Sequence, residues 1–445
     1  MVQSAIAVAD REPVVPAAPA PVTEVCGDLL KLFRLVTDGR SGQGRDHPVA
    51  AVLALAAAAV VAGMRGYTAI AGWVKDVPPP VLADLYLRAG AGPARPPSKA
   101  TIWRVVTDAD ADVLDAAVGS WLMSSLLSQP AGPGDVAAAG ADQDDRAELM
   151  PVRLDGKTVR GARDAAGNQR HLLSALAGRT APCSVVAAQA EVGVKTNEVP
   201  MATAVLGQID LKDKVVTADA LHAVKATAEF ICEGGGEFAL PVKENRKALF
   251  DALDALPWHQ VPVAHSATDR GHGRITTRTI QVLPAPGDLP FPHVSQAYLI
   301  ERHVTGLDGK PLSDVAALGV TSLTAARADP ARLAGLVRGQ WAIESLHWLR
   351  DTLYREDQSR VRTRSGPRAV AALRNLAIGA LHLAGRHDTT EATRWASRPV
   401  DRPLHHPRTH IMVLKRPCWL GSDAHGRVFF TSGDRTGQAA VTAAV

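Results

Sequence analysis

The sequence predicts an α/β (α+β) protein in which an all-helical N-terminal domain precedes a mixed sheet and a second group of helices. Two observations predict this fold class. Apolar residues recur at helical spacing from Asp28 to Leu127 and again from Ala331 to about Arg386, whereas short β-rich runs lie between these stretches. The chain has 445 residues, which is long enough for two or three domains around a substantial core.

The N-terminal region divides into a tail and a helical domain. Residues 1–23 are rich in Ala, Pro and Val without periodicity, and we expect them to form a disordered tail. In the helical domain, residues 24–128, Ser98 follows a Pro-Pro pair and is the expected N-cap of a helix. The four predicted helices cover 49–64, Tyr67–Val74, Lys99–Val106 and Asp110–Leu127.

The helix after Ser98 carries Lys99, Trp103 and Arg104. A short helix of this kind could enter the major groove as part of a helix-turn-helix, so the N-terminal domain is a candidate DNA-binding unit. The alternative is a helical subdomain that only packs against the rest of the protein.

A change of composition marks the next boundary. Residues 129–148, QPAGPGDVAAAGADQDDRAE, are crowded with Pro, Gly and acidic residues and predict a linker before a domain at 149–390. The C-terminal residues 391–445 are rich in Pro, Arg and His, and we assign them no structure. The strands predicted within 149–390 are Pro151–Leu154, His171–Ala177, Ser184–Glu191, Lys214–Thr217, Glu237–Val242, Arg278–Leu283 and Ala297–His303.

Composition excludes several classes of protein. The four cysteines form no CxxC pair, which argues against a thiolate zinc site or a disulfide framework and favours the cytoplasm. The N-terminus does not resemble a signal peptide, and the apolar run 49–64 is shorter than the ~20 residues that span a bilayer, so no membrane partner is expected. The net charge is only +4, but the segment 338–374 alone has eight arginines and four acids, 8 − 4 = +4.

Two aspartates stand at the ends of predicted strands. Asp155 follows MPVRL and opens a predicted turn, DGKT, and Asp219 follows KVVTA and opens DALH. An acid at the C-terminal tip of a strand projects into the crevice where open α/β sheets bind ligands. For either residue alone, local hydrogen bonding in a turn is the simpler interpretation.

A third acid, Glu344, lies on a predicted helix. It shares a face with Trp341 and Trp348, and a second apolar stripe on the opposite side predicts that the helix is enclosed. An ionised carboxylate in such a place needs a cation, either an arginine or a divalent metal. Three acids from distant segments suit two-metal phosphoryl transfer, for which oxygen ligands favour Mg²⁺ or Mn²⁺.

Arginines follow this helix closely. They could hold phosphates, which would make DNA binding fall steeply with salt, or they could form a solvated face. Lys243 and Arg246, at the end of a strand, are candidates for the same task. His222, His272 and His347 could assist phosphate or metal binding, although a structural role is favoured for His222. The arginine series is Arg355, Arg360, Arg362, Arg364, Arg368 and Arg374.

Several motifs in order resemble those of insertion-sequence DDE transposases of the ISAs type, close to the IS-four-like group. The resemblance runs from about Leu30 to Arg386. The chain departs from the family pattern at Gln340, where the family has His or Arg, and at Ser345, where it tends to have Asn. The motifs are LDGKTVRGA (154–162), KTNEVP (195–200), VVTADALHA (215–223), FALPVKENR (238–246), DRGHGRITTR (269–278) and GQWAIESLHWLRDTLYREDQSR (339–360).

The resemblance implies an RNase H-like catalytic core with a β-rich insertion at about 245–315. It places Asp155, Asp219 and Glu344 at the catalytic, metal-binding positions, and it suggests that Trp341 and His347 support Glu344. Basic residues of these motifs are the expected DNA contacts, together with Arg355, Arg360, Arg362 and Arg364. They are Lys157, Arg160, Lys243, Arg246, His272 and Arg274.

The function that follows is a DNA transposase that acts at the nucleoid, cuts the ends of an element and joins them to target DNA. Joining two ends suggests a homodimer on DNA. Two alternatives stay open: an inactive or domesticated copy that only binds DNA, and a metal-dependent nuclease that hydrolyses DNA without joining it.

Overall fold

A computed structural model of the chain describes residues 28–40, 45–92, 95–129, 149–164, 166–193, 198–405, 420–422 and 428–430. The predicted disordered tail 1–23 lies outside these residues. So do nearly all of the predicted linker, the first three residues of the KTNEVP segment and most of 391–445. No helix among the described residues is both long and apolar enough to cross a membrane.

The protein is an α/β structure built on one large mixed sheet, and its N-terminal third is helical where it is described. All four predicted helices are present, and Ser98 caps its helix by accepting a hydrogen bond from the Thr101 amide at 3.1 Å. Two further helices, Leu29–Phe33 and Pro79–Arg88, were not predicted. The N-terminal helices are α1 (Leu29–Phe33), α2 (Val49–Val61), α3 (Tyr67–Lys75), α4 (Pro79–Arg88), α5 (Lys99–Asp108) and α6 (Ala111–Leu127).

Nine strands form the sheet in the order β3-β2-β1-β4-β5-β9-β8-β7-β6. The first three are an antiparallel meander, and β4 and β5 then add parallel to β1. The strands are β1 (Met150–Arg163), β2 (Gln169–Ala177), β3 (Val185–Val192), β4 (Lys214–Ala218), β5 (Glu237–Val242), β6 (His265–Gly271), β7 (Arg274–Pro284), β8 (Gln296–Gly306) and β9 (Pro311–Thr321).

The strand β1 is longer than the sequence predicted. Asp155 pairs with Ser174 of β2, and the ladder continues through Lys157 to Val159. The expectation that Asp155 opens a turn was therefore wrong, because the antiparallel partner β2 extends past the point where β4 ends. Two strands, β6 and β9, were missed altogether: β6 and the first half of β9 are mostly exposed and give no apolar pattern.

Helices cover both faces of the sheet. Val216 of β4 packs in the cluster that includes residues of α7 and α8, whereas its neighbour Val215 packs against Leu336 of α10 on the opposite face. The helices after β3 are α7 (Glu198–Leu206), α8 (Lys225–Glu233), α9 (Lys247–Asp254), α10 (Pro330–Gly339), α11 (Trp341–Thr352), α12 (Gly366–Leu383), α13 (Thr389–Ala396) and α14 (Arg402–His405), and 420–422 and 428–430 pair as β10 and β11.

The N-terminal helices share their core with the C-terminal helices. One apolar cluster contains residues of α1 to α6 together with much of α12, a helix that is buried along almost its whole length. The helix α6 also crosses β3 at very short range: a Cβ at Gly119 would lie 2.1 Å from the Ala187 carbonyl oxygen. These helices are thus packed directly onto the sheet that carries the candidate site.

Candidate active site

The two aspartates lie side by side at one edge of the sheet. The parallel ladder between β1 and β4 ends at the pair Leu154 and Ala218, and Asp155 and Asp219 are the next residue of each strand. Because these residues directly follow the last pair of a parallel ladder, the register of β1 and β4 places them side by side. The spacing in sequence, 219 − 155 = 64, gave no direct sign of this adjacency.

Gln340 ties the helix α11 to the same edge. Its side-chain amide donates a hydrogen bond to the Leu154 carbonyl at 3.0 Å, and its oxygen accepts one from the Thr217 hydroxyl at 2.5 Å. These partners lie directly before Asp155 and two residues before Asp219. One side chain therefore connects both aspartate strands to the helix on which Glu344 follows, 344 − 340 = 4 residues later.

Glu344 is exposed, and the expectation that its helix is enclosed on two sides was wrong. Trp341 is 62% exposed and Trp348 63% exposed, and both lie on the solvent side of α11. The helix buries only the opposite stripe, with Ala342, Ile343 and Leu346 among its residues. A helix that packs on the sheet along one side leaves the other side open, and here the open side carries the carboxylate and both indoles.

The electrostatics of Asp155 show that the acids lie close together. Burial raises the pKa of Asp155 to about 6, although a hydrogen bond from the Gly156 amide opposes the rise. The negative charges of Glu198, Glu344 and Asp219 each raise it further. Asp219 is more exposed and lies 3.1 Å from the ammonium of Lys243. The edge thus concentrates negative charge that a cation would stabilise.

The side chains at this edge have the chemistry that a divalent metal needs, but they are not arranged to coordinate one. Among the described residues, no three His, Cys, Asp or Glu side chains are placed closely enough to hold a metal ion as they stand. The nearby donors are carboxylate oxygens, which suit Mg²⁺ or Mn²⁺. The mutual repulsion at Asp155 is the kind of penalty that a bound cation removes.

Glu198 is a residue that the sequence analysis missed. It begins α7 and accepts hydrogen bonds from His171 at 2.6 Å and from His222 at 3.2 Å, which hold the pKa of Glu198 at about 2. Gly156 leaves room for this group, since a Cβ there would lie 2.4 Å from the Glu198 Oε1 atom. His222 is buried and contacts Glu198, and its favoured structural role stays a prediction. The KTNEVP motif, which contains Glu198, was the sequence signal that could have identified this residue.

His347 lies beside Asp155. Its Nδ1 atom is 3.5 Å from the Asp155 Oδ2 atom, and its buried Nε2 atom has no hydrogen-bond partner. Burial first, and then the positive charges of Arg350 and Lys157, lower the pKa of His347 to about 3. The ring is therefore neutral at neutral pH, and it faces the aspartate although the sequence analysis had assigned it to Glu344.

Two basic residues after Asp155 form ion pairs with aspartates. Lys157 is buried, and its ammonium lies 2.7 Å from Asp351 and 3.6 Å from Asp357. This position does not favour the predicted contact with DNA. Arg160 lies 3.6 Å from Asp357 but is largely exposed, so its guanidinium can still face a ligand.

The arginine series divides into two groups. Arg355, Arg360, Arg362 and Arg364 are exposed. The expectation that the later members contact phosphates was wrong: Arg368 is buried against Asp115, and Arg374 is buried against Glu356. Both belong to α12, which lies inside the core, so their charges are neutralised by buried carboxylates.

The remaining basic candidates lie around the rim. Lys243 is exposed beside Asp219, and Arg246 donates a hydrogen bond to the Leu221 carbonyl at 3.0 Å. His272 and Arg274 are exposed at the tip of the hairpin between β6 and β7. His272 has φ +50° and Gly273 φ +73°, the left-handed pair that a tight hairpin turn requires. The HGR motif is thus a turn that presents two basic side chains.

Two stretches of the chain match families of known proteins. Residues 152–379 match the family described as Transposase DDE domain, which is 379 − 152 + 1 = 228 of 445 residues. Residues 30–122 match the family described as DDE_Tnp_1-associated.

Individual relatives are similar over slightly more than half of this chain. An "Uncharacterized protein in dhlA 3′ region" of Xanthobacter autotrophicus is 31% identical over 267 residues, which cover 56% of this chain and 78% of that protein. "Putative transposase YncI" of Escherichia coli O157:H7 is 27% identical over 52% of this chain and 61% of its own length. "H repeat-associated putative transposase YhhI" of Escherichia coli K12 is 24% identical, over 52% and 63%.

The matches to the two Escherichia coli proteins therefore span less than two thirds of those chains. A solved structure, a cryo-EM piggyBac transposase synaptic complex with hairpin DNA, aligns with 90% of this chain and 87% of its own at 10% identity and a TM-score of 0.38. At that score the resemblance supports no inference about this protein.

Proposed function

This chain belongs to the transposase DDE domain family, and from that membership we propose that it cleaves DNA at the ends of an insertion sequence and transfers the freed strand to target DNA. Asp155, Asp219 and Glu344 are the proposed catalytic residues. The observation that carries the proposal is the convergence of their three elements: the ladder between β1 and β4 ends one residue before Asp155 and Asp219, and Gln340 links α11 to both strands.

We further propose that the core is RNase H-like. The antiparallel meander β1-β2-β3, followed by β4 and β5 parallel to β1 in the order 3-2-1-4-5, supports this assignment. The strands β6 to β9 extend the same sheet between the second aspartate and Glu344 and correspond to the insertion expected there. The helices α1 to α6 would form the N-terminal domain that engages DNA.

The chemistry assigned to the site is phosphodiester exchange. Bound Mg²⁺ or Mn²⁺ would supply an activated hydroxyl and stabilise the leaving oxygen, and the three carboxylates would be its ligands. His347, neutral and buried beside Asp155, would orient that carboxylate. Arg160 and Lys243, exposed at the same edge, would contact the DNA backbone.

The test is metal-dependent cleavage of DNA that borders the coding sequence of the element. We expect Glu344→Gln to abolish cleavage in Mg²⁺ and to leave DNA binding within about twofold, because Glu344 is exposed and supports no buried contact. Glu229→Gln, an exposed glutamate on α8, is the matched control and should cleave normally. Unchanged cleavage by Glu344→Gln would exclude the carboxylate triad.

Two alternatives give different products in the same assay. A nuclease that hydrolyses without joining would release 3′-hydroxyl ends but form no product with an added target plasmid. A domesticated copy would bind DNA and give neither product. Joined products from paired ends would also support the proposed homodimer, since both ends must then be held in one complex.

A further inference from the structure

A basic groove lies between the N-terminal helices and the segment that follows α11. Its cavity has a volume of about 580 Å³, and its walls are the N-terminus of α3, one face of α5 and residues 354–355 and 358–363. Five cationic side chains line it, and none of the lining residues, all of them described, is acidic. The cationic residues are Arg65, Lys99, Arg355, Arg360 and Arg362.

The groove also contains hydrogen-bonding groups without partners. Tyr354 is 1% exposed, lines the cavity, and its hydroxyl has no hydrogen-bond partner. The hydroxyl of Tyr67, on the α3 side, is likewise buried without a partner. Leaving a buried hydroxyl unsatisfied is costly, and both tyrosines line the cavity, so an acceptor that reached these hydroxyls from the groove would be favoured.

The N-terminus of α3 points to the same kind of ligand. Gly66 is its N-cap and provides no side-chain hydrogen bond, so the amides of the first turn are not capped by a side chain. A helix of nine residues with free amides at this end attracts anions, and Gly66, Tyr67, Thr68 and Ala69 all line the cavity. Uncapped amides, unpartnered hydroxyls and cationic side chains together match a phosphate group.

We propose that this groove binds the phosphodiester backbone of the DNA that is held at the carboxylate edge. The N-terminal helices and the segment that follows α11 would then contact the same duplex. The proposal rests on the proposed function and extends it to the N-terminal helices. Lys99 and Trp103 are four residues apart on α5 and face the same cavity, with the 38% exposed indole at its border. The helix α5 therefore contacts the backbone from this face.

The geometry fixes roughly where along the DNA the groove acts. From Glu344 to the end of α11 at Thr352 is 352 − 344 = 8 residues, or about 12 Å of helix. The groove begins two residues later, at Tyr354. A duplex that lay along α11, at about 3.4 Å of axis per base pair, would have the contacted phosphates about three to five base pairs from the cleaved bond.

The first experiment measures the salt dependence of DNA binding. The double variant Arg65→Ala/Lys99→Ala removes two cations from the α3 and α5 walls, and we expect the slope of log K against log [salt] to fall by about 1.8. Lys75→Ala is the matched control, because Lys75 is exposed at the other end of α3 and outside the groove. Its slope should fall by no more than about 0.3.

A second variant separates the groove from general charge. Tyr354→Phe removes only the unpartnered hydroxyl and keeps the buried ring, so folding should be preserved. We expect it to weaken DNA binding by about three- to tenfold without changing the salt slope. Unaltered affinity in Tyr354→Phe together with an unaltered slope in the double variant would overturn the proposal.

The probes distinguish two sources of the same backbone. A random-sequence 30-base-pair duplex represents target DNA, and a duplex from the DNA that borders the coding sequence represents an element end. We expect ethylation of phosphates three to five base pairs from the cleaved bond to interfere with binding of the end duplex to wild type but not to the double variant. If the double variant lost affinity only for the random-sequence duplex, this result would contradict contact between the groove and the cleaved end. Absence of cleavage with normal groove-dependent binding would refute only the proposed activity.

Discussion

The substitution Glu356→Gln tests how the segment that lines the groove is held in place. Glu356 is fully buried and accepts hydrogen bonds from Arg350 at 2.8 and 3.0 Å and from Arg374 at 2.8 Å. Burial raises the pKa of the Glu356 carboxyl, but the two guanidiniums outweigh burial and lower it to about 2. One carboxylate is thus the shared counter-charge of two buried arginines, and it joins α11, α12 and the segment between them.

The expected magnitude follows from the burial of all three groups. Gln has nearly the same shape as Glu but carries no charge, so Arg350 and Arg374, 0% and 2% exposed, would be left without a counter-charge. Removing one partner of a buried ion pair costs about 3–5 kcal/mol of unfolding free energy. Against a typical total of about 5–15 kcal/mol, such a loss is large.

Urea denaturation followed by circular dichroism at pH 7 measures this loss. Asp251→Asn is the control, since Asp251 pairs with Lys247 on the surface and its loss should leave the midpoint unchanged. Because the pKa of Glu356 is lowered, its stabilisation is present above the unfolded value of about 4.5 and is lost as pH falls toward 2. A loss below about 1 kcal/mol at pH 7 would refute the assignment of Glu356 as the anchor of this segment.

Three further substitutions test the catalytic edge. Gly156→Ala should destabilise the protein by about 1–3 kcal/mol and impair cleavage, because the new Cβ would displace Glu198. Gly335→Ala is the control, since a Cβ there meets open space, and it should change neither stability nor cleavage. Normal cleavage by Gly156→Ala would contradict the close packing of Gly156 against Glu198. Gln340→Leu should lower the rate of cleavage at saturating DNA more than DNA affinity, since it releases α11 from both strands; equal losses would assign Gln340 to DNA binding. Asp155→Asn should raise the unfolding free energy in EDTA by about 2–3 kcal/mol at pH 8, because the raised pKa of Asp155 makes its ionised form unfavourable above a pH of about 6. The difference in stability between variant and wild type should shrink toward pH 4. A variant less stable than wild type at pH 8 would refute this prediction.

The sequence analysis was most accurate where local patterns determine structure. The helix after Ser98 and the strands β2, β4 and β5 lie within two residues of their predicted bounds. It was least accurate where a partner determines structure. The extension of β1 past Asp155 depends on β2, and the exposed half of β9 depends on β8, neither of which leaves a periodic signal in the segment itself.

The helix α11 shows the same limit at the site. Its heptad-like pattern correctly predicted a helix, but two apolar stripes were interpreted as two buried sides. Only one stripe packs, and the tryptophans remain exposed beside Glu344. Periodicity identifies the faces of a helix, but which face is covered depends on the neighbours that the tertiary structure supplies.

By itself, the sequence determined the family and the α/β class and proposed the three acids as candidates, because ordered motifs and local periodicity are properties of the chain alone. The tertiary structure decided which groups meet. It placed Glu198 beside Asp155, paired Lys157 with Asp351 and Arg374 with the buried Glu356, and brought Lys99 into one groove with Arg360. These pairings join residues far apart in sequence, so no local pattern encodes them; strand register and helix packing do.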